Sequence, residues 1–221
     1  MGEMITFTCP DGHQASGYQA TATNPKGAVV VIQEWWGLND QIKGVADRFA
    51  AAGFTALAPD LYEGRVTQDP DEANHMMTGL DWGGAAHQDI RGAVQHLKSG
   101  GGKAAVMGFC MGGALTIIAG VHIPECDAAV CYYGIPPKEV ADPAQMKVPF
   151  QAHFASQDDW CTPAAVEQLK SDMAGVATPV EIYGYEGEHG FFNEARPDVH
   201  KKEESELSWQ RTVEFLGREL A

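Results

Sequence analysis

With 221 residues and 44% hydrophobic content, the chain has the length and composition of one sizeable folded domain, 1–221. Its 30 acidic against 15 basic residues leave a formal net charge of −15, which repels phosphate backbones and anionic lipid and argues against nucleic-acid and membrane partners. No apolar run approaches the roughly 20 residues of a membrane span, and the amino terminus lacks a signal-peptide pattern.

In chain order, the first 25 residues read as an antiparallel hairpin at one edge of a sheet. GAVVVIQEWWG (27–37) opens with an unbroken β-branched run, as in a strand buried on both faces. QIKGVADRFAAAG (41–53) carries apolar residues at helical spacing and a glycine stop, and FTALAPDLY (54–62) reads as a second buried strand. A polar, Met-rich stretch (63–82) reads as loop and short helix, and GAAHQDIRGAVQHLKSGGG (84–102) as a helix with a glycine end. KAAVMGF (103–109) is a third buried strand, and MGGALTIIAGVH (111–122) continues it as a helix. Three more strands are expected in CDAAVCYYG (126–134), VPFQAHFAS (148–156) and TPVEIYGYE (178–186), with amphipathic helices over 163–175 and 201–220. This alternation predicts an α/β fold: a mostly parallel central sheet, helices on both faces and an N-terminal antiparallel edge hairpin.

The five cysteines (Cys9, Cys110, Cys126, Cys131, Cys161) are odd in number and lack zinc spacing, which argues against a disulfide framework. A reduced cytoplasm and a monomer or small homo-oligomer are the expectation. No HExxH or HxxxH spacing occurs, so neither metal nor cofactor is expected.

Ligands of open α/β sheets collect beyond the carboxyl ends of the strands. Glu34 and Trp35, Asp60, Cys110, Tyr132 and Tyr133, Asp158 and Asp159, and His189 all stand at such ends. Gly108-Phe109-Cys110-Met111-Gly112 matches the nucleophile-elbow pattern G-x-S-x-G with cysteine in the serine place. A turn that tight strains the nucleophile's backbone and leaves no room for side chains two residues to either side. The following helix directs its positive end at Cys110, which favours thiolate, and the Met111 N–H is a candidate oxyanion donor. His189 in YEGEHGFFN is the expected base, because its glycine-flanked loop can turn sharply toward the sulfur. Its orienting acid is expected in SQDDWCTP, where Asp158 and Asp159 point apart and only one can face the ring. His75, His87, His96 and His200 read as solvated helix residues, while His13, His122 and His153 have no evident partner.

QEWWGLN (33–39), APDLY (58–62), GFCMGG (108–113), YYG (132–134) and HGF (189–191) together resemble the dienelactone hydrolase (carboxymethylenebutenolidase) family of α/β-hydrolases. The resemblance implies an α/β-hydrolase fold and a Cys110–His189–Asp159 triad. Asp159 is preferred over Asp158 because it precedes Pro163 by four residues, which resembles the superfamily's acid-to-proline spacing. Glu34 matches the family's active-site glutamate, which partners the thiol in the resting enzyme, and Trp35 the residue whose N–H is the second oxyanion donor. The two arginines with which the best-known members hold a substrate carboxylate are not in register. Asn193 stands four residues past His189, and Arg65 and Arg196 are displaced from the expected positions.

A thiol with pKa near 8.5 is only about 3% ionised at pH 7, so a base and a helix terminus gain it about 30-fold at most. Thiolate also leaves a tetrahedral intermediate more readily than alkoxide or amine, which restricts the expected substrates to lactones and esters with activated alcohols. Trp36, Tyr62, Trp82, Tyr133, Trp160, Phe191 and Phe192 are the candidate pocket lining. The alternatives are a thiol redox protein pairing Cys110 with Cys161 and a catalytically silent ligand-binding member of the fold.

Overall fold

In the computed structural model, which describes residues 1–221, the amino terminus forms the expected antiparallel hairpin of β1 (Glu3–Thr8) and β2 (Gln14–Ala20). The β-branched run follows as β3 (Ala28–Ile32), entirely buried, and then come α1 (Asp40–Ala51), β4 (Thr55–Pro59) and α2 (Pro70–Thr78). A single helical turn, α3 (Trp82–Gly84), passes through a π-helical segment (Ala85–Ile90) into α4 (Arg91–Lys98). The elbow lies between β5 (Ala104–Phe109) and α5 (Met111–His122), after which come β6 (Ala128–Tyr132) and a 3-10 turn (Pro143–Gln145). The chain ends with β7 (Phe150–Ala155), α6 (Pro163–Met173), β8 (Val180–Tyr185) and α7 (Lys202–Glu219).

The eight strands make one sheet in the order β1-β2-β4-β3-β5-β6-β7-β8. Only β1–β2 and β2–β4 pair antiparallel, and β4 through β8 run parallel. This is the α/β-hydrolase arrangement. Strands β3, β5, β6 and β7 are buried along their whole length, because helices cover both faces of the sheet centre. Edge strand β8 is only half-buried and correspondingly mixes polar and apolar residues. Helix α5 is buried from Met111 to Val121, which accounts for its being apolar on every side. Helix starts follow local chemistry: Asn39 Oδ1 accepts the Ile42 N–H at 3.1 Å before α1, and Thr162 caps α6 ahead of Pro163. No helix is long and apolar enough to cross a membrane.

His153, which has no evident partner in the sequence, lies fully buried on β7 in a polar network. Its Nδ1 is 2.7 Å from the Tyr185 hydroxyl, and its Nε2 is 3.0 Å from Gln151 Oε1 and 3.1 Å from Thr212 Oγ1. Burial, reinforced by nearby Arg211, holds its pKa well below the ordinary value of 6.5. The folded protein therefore keeps this imidazole neutral while the unfolded chain protonates it. Stability from this group is present above about pH 6.5 and is lost as the pH falls below it, at up to about 1.4 kcal/mol per pH unit. His189, discussed below, is shifted upward, so its contribution is complete below pH 6.5 and does not add to this slope. The unfolding temperature should drop by about 2–4 °C per pH unit between pH 6 and 5. That slope should flatten in His153→Gln, a comparison that separates the imidazole from the carboxylates; an unchanged slope would refute the assignment.

Candidate active site

Cys110 stands between β5 and α5 at φ 56° and ψ −118°, a left-handed backbone that side-chain-bearing residues rarely adopt. The conformation is held from both sides: its N–H donates to the Tyr132 carbonyl at 3.0 Å, and its carbonyl accepts the Ala114 N–H at 3.1 Å. The motif glycines permit it. A Cβ on Gly108 would collide with the Gly112 carbonyl, and one on Gly112 would stand 2.6 Å from the Gln33 carbonyl oxygen. Gly112→Ala should accordingly destabilise the fold by about 1–3 kcal/mol, read as a lower denaturant midpoint; an unchanged midpoint would contradict this packing.

The carboxyl ends of β3, β5, β7 and β8 bring Glu34, Cys110, Asp158 and His189 to one end of the sheet. His189 Nδ1 lies 2.8 Å from Asp158 Oδ2. This corrects the expectation of Asp159, which is exposed and points to solvent. Asp158 is selected because its other oxygen, Oδ1, accepts the Trp160 and Cys161 N–H groups at 2.7 and 2.8 Å, which fixes the carboxylate inside the turn. Burial raises the Asp158 pKa, but the His189 bond and these two amides outweigh it and hold the carboxyl below its usual range. Burial likewise disfavours a charged His189, yet Asp158 and the neighbouring Cys110 sulfur outweigh it and push the imidazole up to about 10. His189 Nε2, buried, is left without a hydrogen-bond partner.

Glu34 is 4% exposed and faces the same cavity. Its partners differ from the expected thiol: Oε1 accepts the Tyr133 hydroxyl at 2.9 Å and Oε2 accepts the Asn193 amide at 2.6 Å. Burial raises its pKa, and these two donors oppose the rise. Asn193, absent from the expected site, is thus a neighbour of the glutamate. The only sequence signal for it was its place four residues after His189.

The cavity measures about 840 Å³ and contains Cys110, His189, Glu34, Trp35 and Met111 in its wall. Trp36, Trp82, Tyr133 and Trp160 also line it. Trp160 is 63% exposed and stands at its rim, edge-on to Trp35 at 5.8 Å between ring centres. Tyr62, Phe191 and Phe192 do not line it. Phe192 stacks on Phe109 and Phe191 on Tyr185 beneath the site, and the Tyr62 hydroxyl is turned to the Met111 sulfur at 3.1 Å. Sequence reasoning missed Met77 from α2 and Ile135 and Pro137 from the loop after β6, which carry no chemical signature. Arg196 also reaches the wall, but its guanidinium is engaged by Asp198, and Arg65 is engaged by Glu72. All five cysteines are free thiols, and burial pushes the Cys161 thiol well up and so keeps it protonated.

Residues 15–220 match the model of the Dienelactone hydrolase family. The chain is 34% identical to the protein usf of Aquifex pyrophilus over the full length of both. It is 32% identical to a Saccharolobus solfataricus protein provisionally named a carboxymethylenebutenolidase, over 98% of each chain. A Klebsiella pneumoniae crystal structure, provisionally described as a dienelactone hydrolase, superposes with a TM-score of 0.80 at 22% identity, over 97% of this chain and 98% of that one.

Proposed function

The chain belongs to the dienelactone hydrolase family and is an ester or lactone hydrolase, and from that premise we propose that it cleaves activated esters and enol-type lactones through a thioester on Cys110. The observation that carries this reading is the unpartnered, buried Nε2 of His189 in the cavity that also holds Cys110, with Nδ1 tied to Asp158. A ring held this way can take a proton at one atom only.

The thiol proton passes to His189 Nε2, and the sulfur attacks the substrate carbonyl carbon. Asp158 holds the imidazolium that results. We assign the oxyanion to the Met111 and Trp35 N–H groups; Met111 is the first residue of α5, where amides lack partners within the helix. The tetrahedral intermediate collapses with loss of the alcohol or enol, which recovers its proton from His189. Water then gives a proton to His189 and attacks the thioester, releasing the acid and restoring Cys110. Each oxyanion donor supplies about 3 kcal/mol, more than the roughly 2 kcal/mol gained by ionising the thiol fully.

Collapse must expel the substrate's oxygen rather than the sulfur. An enolate or phenolate can compete with thiolate as a leaving group, whereas an alkoxide is a far stronger base. The aromatic wall of Trp35, Trp36, Trp82 and Trp160 suits a flat substrate, and the arginines are engaged by carboxylates. p-Nitrophenyl acetate and dienelactone, compared with ethyl acetate and a saturated lactone, provide the test. Activated substrates should be turned over at least about 100-fold faster, with an acyl adduct on Cys110 in the intact mass during turnover. Equal rates on plain alkyl esters, or an adduct located elsewhere, would overturn the proposal.

A further inference from the structure

A second cluster of chemically active side chains lies outside the cavity, at the turn of the edge hairpin. Between β1 and β2 the chain reads Cys9-Pro10-Asp11-Gly12-His13. The turn is closed by the Cys9 N–H on the His13 carbonyl at 2.9 Å and the Gly12 N–H on the Cys9 carbonyl at 2.8 Å, with Gly12 at φ +93°. The π-helical segment before α4 packs against it and contributes Asp89. Gly92 permits this approach, since a Cβ there would stand 3.0 Å from the Cys9 sulfur.

Three different ligand atoms converge as a result. Asp89 Oδ1 is 3.8 Å from Cys9 Sγ and 3.0 Å from His13 Nε2, and all three atoms lie within 4.8 Å of one another. The other histidine nitrogen is already engaged: Nδ1 is 2.7 Å from Asp11 Oδ1, which the His13 N–H holds at 3.0 Å. The Asp11 N–H in turn donates to Gln88 Oε1 at 3.0 Å, tying the turn to the π-helical segment. With Nδ1 on Asp11, His13 presents Nε2 to the carboxylate oxygen of Asp89, a position that either a proton or a cation can bridge. No lysine or arginine is paired with either aspartate; His13 is their only ion-pair partner. The Cys9 thiol donates to the same Asp89 oxygen, so protons bridge the three atoms, and a cation that displaced them would meet one sulfur, one nitrogen and one oxygen ligand.

We propose that Cys9, His13 and Asp89 form a zinc site, with water as the fourth ligand on the solvent side. Zinc bonds of about 2.0–2.3 Å in a tetrahedron separate ligand atoms by roughly 3.3–3.8 Å, close to the 3.0 and 3.8 Å from Asp89 Oδ1 to its two neighbours. The side chain of His13 is 44% exposed, which leaves it free to make the small adjustment required. A sulfur, nitrogen and carboxylate set favours zinc over calcium or magnesium. One thiolate and one carboxylate neutralise the dication, and Asp11 stands behind the histidine as the carboxylate that fixes its ring. Cys9 is buried, and its ligand partners come from two separate segments, so the site exists only in the folded chain. Its role is structural: it staples the outer hairpin to the helix preceding β5, four strands across the sheet from β1.

Calorimetric titration of chelator-stripped Cys110→Ala protein with zinc chloride tests this, since that background removes the active-site thiol as a competing ligand. One zinc per chain should bind, and cobalt in its place should give a thiolate-to-cobalt charge-transfer band. His13→Asn and Cys9→Ser should each weaken zinc binding at least about 10-fold, and Asp11→Asn about 10–100-fold. His13→Asn, changed at an exposed turn, keeps the test decisive even if Cys9→Ser does not fold. In the otherwise wild-type chain, His13→Asn should retain ester hydrolysis within about twofold. Absence of stoichiometric binding, or zinc affinity unchanged in His13→Asn, would overturn the site.

Discussion

Cys110→Ala should lower kcat/KM for p-nitrophenyl acetate by about 1,000-fold or more while the cavity still binds product-like ligands. The loss exceeds what electrostatics alone predicts because the other nucleophiles in the cavity wall are disabled. Cys161 is buried, with its thiol held protonated, and Glu34 has both oxygens occupied by Tyr133 and Asn193. The residual rate should reflect oxyanion stabilisation and binding, which in comparable triads survive loss of the nucleophile. Alanine removes one sulfur atom at a position whose backbone is held by Tyr132 and Ala114, so the unfolding temperature should change little. Initial rates and thermal unfolding of the two purified proteins provide the measurement. Similar rates for both proteins would discard the thioester mechanism.

The second large effect separates two adjacent acids. Asp158→Asn should reduce kcat by about 10²–10⁴-fold, because an amide cannot hold the imidazolium and leaves His189 free to choose the wrong tautomer. It should also bring the His189 pKa down from about 10, since the Asp158 bond is the largest influence raising it. The pH dependence of Cys110 alkylation by iodoacetamide reports that change. Asp159→Asn, on an exposed side chain, should leave kcat within about twofold. If Asp159→Asn proved the damaging variant and Asp158→Asn were silent, the hydrogen bond between His189 and Asp158 would have no part in the reaction. The two outcomes are opposite, so one pair of kinetic measurements decides between them.

The correction from Asp159 to Asp158 marks a limit of spacing arguments. Distance to Pro163 shifts by one residue between the candidates, and a one-residue shift reverses the direction of a side chain. What selects Asp158 is the pair of amides from Trp160 and Cys161 that fold back onto its free oxygen. The aromatic lining shows the same limit. The seven candidate lining aromatics look equivalent along the chain, but Phe191 and Phe192 follow His189 through a turn with Gly190 at φ +84° and are driven into the core. Tyr62 likewise packs beneath the floor of the site, against Met111. Glu34 was legible as a buried carboxylate at a strand end, yet its partners were not, because Tyr133 and Asn193 are 99 and 159 residues away.

The sequence by itself determined the elements and their order, because unbroken β-branched runs and helical apolar spacing record burial locally. It also determined the elbow at Cys110, since the glycines two residues to either side are dictated by close backbone contacts at that turn. The loop placement of His189 was legible for the same reason. Only the tertiary structure decided which aspartate meets His189, which aromatics face the cavity and what holds Glu34. It alone brought Asp89 to Cys9 and His13, across 80 and 76 residues of chain. Backbone geometry is written in neighbouring residues, whereas side-chain pairing depends on the directions in which separate segments approach, and no local pattern encodes those directions.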